Sequence, residues 1–461
     1  MEPVACNGLQ GGSLRARMLR AAGWLVGGNI SSQVLRLASS LVLTRALLPE
    51  AFGLVAAVNT MYLALVMFSD LGVWQSVVKS ERGLERRFQG TAWSIQLLRG
   101  MLLAAVVLLI AAGLHLGAAA GKFEPGTVYA DPRLPAMVAA FAVCALLQGL
   151  ESMKLAGAQR ALQMASLARL EIVAQLAAAA VTISLAVATH SAWSLVAGTL
   201  VSAGAKAAMS HWYLPGPSFR PCWDASSVRE ITRFGRWIFL SSVIGFLAAH
   251  GEKLILAGTL ASHSFGVFAI ASTLLTAVLG LYGSLNAHVV FSSLSEALRT
   301  DARTAARVYA RVQQWADLLL GVMAGGIFTA GHWAVDLLYD HRYHDAGWML
   351  QWLGLGLLAI RHQVAEQLMF AAGQPAWVTS GNSLRALGLV LLVPAGFAAG
   401  GEQGAIAGVV ASQFANWPLA LWFKSRQGLL TWQSERVWLP AFAGGLAAGW
   451  ALDRALLAML H

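Results

Sequence analysis

The sequence predicts an all-α integral membrane protein: two parallel-repeat six-helix bundles, giving twelve core transmembrane helices, plus an extra C-terminal helix. Three observations predict it. Of 461 residues, 57% are hydrophobic and only 12% are charged, and the mean hydropathy is +0.62. Soluble domains carry about 25% charged residues. The apolar residues gather in runs long enough to span a bilayer, which takes roughly 20 residues each. Lys and Arg crowd into alternate connections between those runs.

Composition also excludes other classes. The chain is too apolar for disorder, for a disulfide-rich secreted domain or for an ordinary cytosolic enzyme. A net charge of +10 can indicate nucleic acid, but here it reads as basic cytoplasmic loops, and no nucleic-acid partner is expected. Cys6, Cys144 and Cys222 are an odd number without CxxC spacing. They suggest neither a disulfide framework nor a zinc site, and no metal or cofactor is expected. Phosphate-loop, HExxH and GxSxG patterns are missing, so the chain reads as no enzyme.

The runs follow in order: 21–46, 51–78, 90–116, 134–156, 170–189, 191–213, 236–260, 265–290, 307–331, 346–371, 376–398 and 403–423. A weaker thirteenth, 437–458, is interrupted by Asp453 and Arg454, which leaves open whether it spans. Helices are required because hydrocarbon cannot satisfy exposed backbone groups, and the runs exceed the roughly ten-residue strands of a barrel. The first twenty residues are polar and basic, with no cleavable signal. The organisation is a cytoplasmic segment 1–20, a first bundle 21–213, a Pro-containing linker 214–235, a second bundle 236–423, and a loop with the last helix over 424–461.

Sidedness follows from the cations. With the N-terminus inside, 22 Lys and Arg fall on the cytoplasmic side, Arg385 and Lys424 among them, and 5 on the periplasmic side. That bias sets orientation in a multi-pass inner-membrane protein. Tryptophans at run ends, such as Trp24, Trp212 and Trp422, read as an interfacial belt.

Two segments resemble each other. Residues 43–65 and 256–278 align with Phe52-Gly53 on Phe265-Gly266, an offset of 213. Each is a helix, a tight turn and a second helix. A six-helix offset makes the repeats parallel, and such repeats enclose the substrate site of one class of alternating-access transporter.

Five cations remain within the runs: Arg36, Arg99, Lys206, Lys253 and Arg361. A charge at the bilayer centre costs ~3 kcal/mol on insertion scales, so these should face protein or water. Arg36 sits in a polar stripe with Asn29, Ser32, Gln33, Ser39 and Ser40 at helical spacing. Arg36, Arg99, Lys253 and Arg361 are the candidates for a cationic cavity. Lys206 lies near a run end and can snorkel. The acids Asp70, Glu252, Asp317 and Glu366 are candidates for coupling or charge pairing, and His362 can touch Glu366 one turn on. Glu151 and Glu171 are further acids within the runs.

Residues 43–93 resemble the polysaccharide transport family of lipid-linked oligosaccharide flippases, within the multidrug/oligosaccharidyl-lipid/polysaccharide exporter superfamily. The carrying residues are Leu43-Thr44-Arg45, Leu47, Pro49-Glu50, Phe52-Gly53-Leu54, Ser69 to Gly72, and Trp93. Residues 251–272 are similar to the family's second half. They depart from it in Glu252-Lys253, where an aspartate-basic pair is common, and in Phe265 and Phe268, where Leu and Tyr are common. The resemblance implies a flippase for undecaprenyl-diphosphate-linked oligosaccharide in surface polysaccharide (O-antigen or exopolysaccharide) biosynthesis. Its partners would be that lipid, the surrounding membrane lipids and polysaccharide polymerase or assembly proteins. The intramembrane cations fit independently, because arginine binds phosphate oxygens bidentately. Two other readings stay open: a cation-coupled drug or metabolite exporter of the same superfamily, and a polyprenol-dependent glycosyltransferase or ligase.

Overall fold

The computed structural model describes residues 14–217, 220–430 and 435–460. It is built from helices. The first half contains α1 (Leu14–Ala46), α2 (Pro49–Phe68), α3 (Val73–Lys79), α4 (Arg86–Ala119), α5 (Leu134–Leu150), α6 (Lys154–Arg160), α7 (Met164–Thr189) and α8 (Trp193–Trp212). The second half contains α9 (Ala225–Thr259), α10 (Ser262–Leu285), α11 (Phe291–Thr300), α12 (Ala302–Leu338), α13 (Ala346–Leu355), α14 (Leu357–Ile360), α15 (Gln363–Ala371), α16 (Pro375–Gln413) and α17 (Trp417–Arg426). A last helix, α18 (Trp438–Leu460), follows.

Breaks explain why there are more helices than passes. The second run divides at Asp70, whose Oδ1 accepts from the Gly72 amide at 2.9 Å while Gly72 takes φ +61°. A residue without Cβ enters that left-handed conformation freely. The fourth run bends by 58° between α5 and α6. The tenth is interrupted around Arg361 and His362, between α14 and α15. In α16, Gly400 and Gly401 leave helical geometry, with φ +57° at Gly401. Residues on either side then face each other: Gly388 meets Ser412 and Ala415, and Arg385 donates to Gln413 Oε1 at 2.5 Å. The chain therefore reverses there, and α16 is two antiparallel passes. Among the described residues, six helical stretches are long and apolar enough to cross a membrane, and the bent α5–α6 pair, taken as one span, makes a seventh. Their outer faces carry apolar side chains for lipid, including Leu102, Leu109, Val390 and Leu391. The protein is a multi-pass membrane protein.

Two element boundaries differ from the sequence expectation, and the expected C-terminal helix is present. Helix α1 begins at Leu14, so residues 14–20 extend the first helix. The linker becomes helical at Ala225, where the Asp224 carboxylate caps the Ser227 amide at 2.9 Å. The thirteenth run is one continuous helix. Asp453 does not break it, because its Oδ1 accepts from Trp333 Nε1 at 2.9 Å on α12. Backbone contact at Gly321 and Gly325 seats α18 along α12, as small residues do in membrane helix pairs.

The repeat extends well beyond the aligned segment. Pro49 corresponds to Ser262, Leu134 to Ala346 and Met164 to Pro375 as helix starts, each about 213 residues apart. Even the interruptions correspond: the break after Leu150 matches that near Arg361. The halves join at the end opposite the N-terminus. There the Gly53 and Gly266 backbones cross, and Tyr343 donates to Leu47 O at 2.9 Å. Arg342 donates to Thr44 O at 2.9 Å, and Tyr129 to Leu254 O at 2.7 Å. A core cluster runs through both halves at this seam, with Leu47, Leu54, Val58, Phe265 and Phe268 fully buried.

Candidate functional site

A cavity of about 570 Å³ lies between the halves, below this seam. Its walls come from α1, α2, α7 and α8 of the first half and from α9 and α10 of the second. Arg36 and Lys253 both line it, one from each half. Ser39, Ser40, Asn59, Thr182, Thr199 and Thr273 add hydroxyls and an amide, and among the described residues no Asp or Glu lines it. Among the described residues, neither cation has an ion pair or hydrogen bond within the protein. The α1 stripe places Arg36 there because Ser32, Arg36, Ser39 and Ser40 recur on one helical face. Its lower members separate: Asn29 and Ser32 line a second cavity, while Gln33 packs against the Gly280 backbone of α10.

The other two candidate cations lie elsewhere. Arg99 donates its Nε to Ser69 Oγ at 3.0 Å and an Nη2 proton to Val66 O at 2.6 Å. It caps the carbonyl end of α2, where the interruption leaves carbonyls without helical partners. Arg361 is buried and bidentate to Asp317, at 2.7 and 2.6 Å, and its third nitrogen reaches Glu435 Oε2 at 2.9 Å. Lys424 Nζ donates to the other Glu435 oxygen at 2.7 Å. Gln313 Nε2 donates to Asp317 Oδ1 at 2.6 Å, and Tyr309 donates to Gln313 at 3.1 Å. All four charges are under 9% exposed. Of the four cations expected to share one cavity, the structure brings together Arg36 and Lys253.

The candidate acids divide similarly. Asp317 neutralises Arg361, and Asp70 caps its own break. Glu252 immediately precedes Lys253 on α9 but lines a separate cavity of about 230 Å³ in the second half. Arg385, Gln363 and Gln413 line that cavity too. Arg385 was counted among the cytoplasmic loop cations, yet it lies about three turns inside α16. Lys424, counted likewise, is wholly buried. The expected His362–Glu366 side-chain contact is not made. His362 is the cap residue that starts α15, and the Glu366 amide donates to its carbonyl at 3.2 Å, but both imidazole nitrogens lack hydrogen-bond partners among the described residues, and the ring stands edge-on to Trp417 at 5.3 Å.

Sequence reasoning missed Glu435, because it reads as one loop acid beside Arg436. It also missed the lining of the second cavity, of about 400 Å³. Trp24, Trp74, Glu151, Gln159 and Glu171 come together there from four helices and the α5–α6 break. Glu151 and Glu171 were visible as intramembrane acids, but their meeting depends on the bend.

The sequence matches the family described as polysaccharide biosynthesis protein over residues 42–347. No curated protein sequence matches it. Among solved structures, the chain is similar to the lipid II flippase MurJ in an inward closed conformation, with TM-score 0.68, 9% identity and 91% of each chain covered. It is also similar to an inward-facing multidrug resistance MATE family transporter of the MOP superfamily, with TM-score 0.57, 12% identity, and 86% of this chain and 94% of that one covered. A MATE transporter from Vibrio cholerae gives TM-score 0.56, 16% identity, and 93% and 99% coverage. The chain belongs to the polysaccharide biosynthesis protein family and has the fold seen in MurJ and the MATE transporters.

Proposed function

We propose that the protein flips undecaprenyl-diphosphate-linked oligosaccharide from the cytoplasmic to the periplasmic leaflet of a bacterial inner membrane. The cavity between the halves would open alternately to each side, and the N-terminus would lie in the cytoplasm. Arg36 and Lys253 would hold the diphosphate, and the lipid tail would stay in the bilayer. One observation carries this reading: the inter-half cavity has a cation from each half and, among the described residues, no acid in its lining. An exporter of cationic drugs needs the opposite sign. Membership of a polysaccharide biosynthesis family supports the same substrate class.

The membrane potential, negative inside, would help expel an uncompensated anion, by about 2.3 kcal/mol per charge per 100 mV. Two cations from opposite halves would also couple anion binding to the approach of the halves, since an unpaired like charge resists it.

Arg36→Ala and Lys253→Ala should insert normally and lower delivery of lipid-linked oligosaccharide to the periplasmic leaflet at least tenfold. Arg36→Lys should retain part of the activity, because a point charge replaces a fork. Wild-type delivery by the inserted alanine variants, measured in proteoliposomes, would sink the assignment.

A further inference from the structure

We propose that the second cavity of the first half is a binding site for the sugar part of the lipid-linked substrate. This rests on the flippase reading above and extends it to the headgroup. Helix α1 lines both cavities: Gly28, Asn29 and Ser32 the lower one, Arg36 and Ser39 the upper one. At 1.5 Å rise per residue, Gly28 lies ~12 Å below Arg36 along the helix. A chain of sugars on a diphosphate held at Arg36 would extend into that space. The two sites are also wired together. Lys206 Nζ holds Glu171 Oε2 at 2.7 Å, and Glu171 Oε1 accepts from Gln175 Nε2 at 2.8 Å. Gln175 belongs to the upper lining.

The chemistry of the lower cavity suits a carbohydrate. Two indoles, Trp24 and Trp74, offer broad apolar faces. Glu151, Glu171, Asn29 and Gln159 offer carboxylate and amide groups for hydroxyls. The acids disfavour the diphosphate here and leave it to Arg36 and Lys253. Arg169 sits over the Trp24 ring, 5.6 Å from its centroid, and fixes one face. Gln159 Oε1 accepts from Trp74 Nε1 and orients the other indole.

The helix break sets the Glu151 side chain in the cavity wall. Interrupted backbone inside a membrane is tolerated where it lines a cavity. The freed groups at this break are satisfied by neighbours: Gln96 Nε2 donates to Gln148 O at 2.8 Å and to Glu151 O at 3.2 Å, and Ser210 Oγ accepts from Ser152 N at 2.9 Å. None of this uses the Glu151 carboxylate. Among the described residues it makes no hydrogen bond or ion pair, and it lines the cavity.

The test uses full-length protein in nanodiscs and two probes. One is bare undecaprenyl diphosphate. The other is the undecaprenyl-diphosphate oligosaccharide extracted from source cells whose own copy of the gene is deleted. Glu151→Gln and Trp24→Ala should each weaken the glycosylated probe about tenfold, as expected for a charge-assisted hydrogen bond or an aromatic platform. Both should change affinity for the bare probe less than twofold, and Trp24→Phe should restore most of the loss. Equal weakening of both probes, or unchanged affinity for the glycosylated one, overturns the sugar site while leaving the diphosphate site standing. Failure of the wild type to bind either probe overturns the functional reading and this one with it.

Discussion

A Cβ on Gly53 would lie 2.9 Å from the Gly266 amide nitrogen and 3.2 Å from Ser262 O. The reverse contact is its image. A Cβ on Gly266 would press on Pro49 O and Glu50 N, and Pro49 is the repeat counterpart of Ser262. Only hydrogen fits at either position, so the helices α2 and α10 approach at backbone distance. Gly266→Ala should separate the two halves at this end and cost about 1–3 kcal/mol through overpacking. Thermal unfolding in detergent measures it. Unchanged stability would mean that the seam is not held at this crossing.

The same end offers a direct lock. Thr127 and Ala261 form an isolated antiparallel bridge, and opposed residues of such a pair lie about 4.5–5.5 Å apart at Cα. That is within disulfide reach. The pair Thr127→Cys with Ala261→Cys should cross-link on oxidation and cut transport at least tenfold, and reductant should restore it. Full transport by the cross-linked protein would show that this end does not open.

The buried charge network in the second half should be structural. Asp317→Asn leaves Arg361 without its bidentate partner and should cost about 3–5 kcal/mol. Replacing Asp317 and Arg361 together with Leu and Met, which keeps Lys424 paired with Glu435, should cost much less. Unfolding midpoints of the single and double variants decide it. A double variant as unstable as the single one would refute the pairing argument.

The seam should respond to acid through Asp340. This loop carboxylate accepts from Arg342 Nε at 3.1 and 3.0 Å. The Arg342 hydrogen bond holds its pKa below the usual carboxylate range. Its folded value is lowered, so its contribution is present above the ordinary value of about 3.9. It is lost as pH falls through the lower folded value. Arg342 also grips Thr44 O, so protonation should loosen the α1–α2 corner. Amide exchange over residues 44–48, corrected for intrinsic rates, should be unchanged from pH 5 to 8 and rise only in stronger acid. Asp340→Asn should raise it at neutral pH. Loosening between pH 5 and 7 would point to another group.

Much of the fold was legible because hydrocarbon forces it. Each apolar run is helical over most of its length, and the Phe-Gly alignment located the repeat. The Arg36 stripe was legible for the same reason, since periodicity on one helix is local. Pairings between distant segments were not. Arg361 looked like a free intramembrane cation because its partners, Asp317 and Glu435, come from α12 and from the segment just before α18. Arg385 was grouped with the cytoplasmic cations although the run 376–398 already enclosed it, because the count sorted charges by side and not by depth. The lower cavity was hidden because the α5–α6 bend, which assembles it, is written in neighbouring Gln96 and Ser210 rather than in Glu151 itself.

The crossing of Gly53 with Gly266 is a patch presented to its own copy. That is the isologous contact of a twofold dimer, drawn within one chain. A half-length ancestor could have made it with an identical partner, with no residue needing to tell the two sides apart. In the present chain the contact is symmetric while its surroundings differ. One copy keeps Arg36 where the other has Ala249, and the other keeps Lys253 where the first has Ser40. Asymmetry of the cavity lining is thus set beside a symmetric contact.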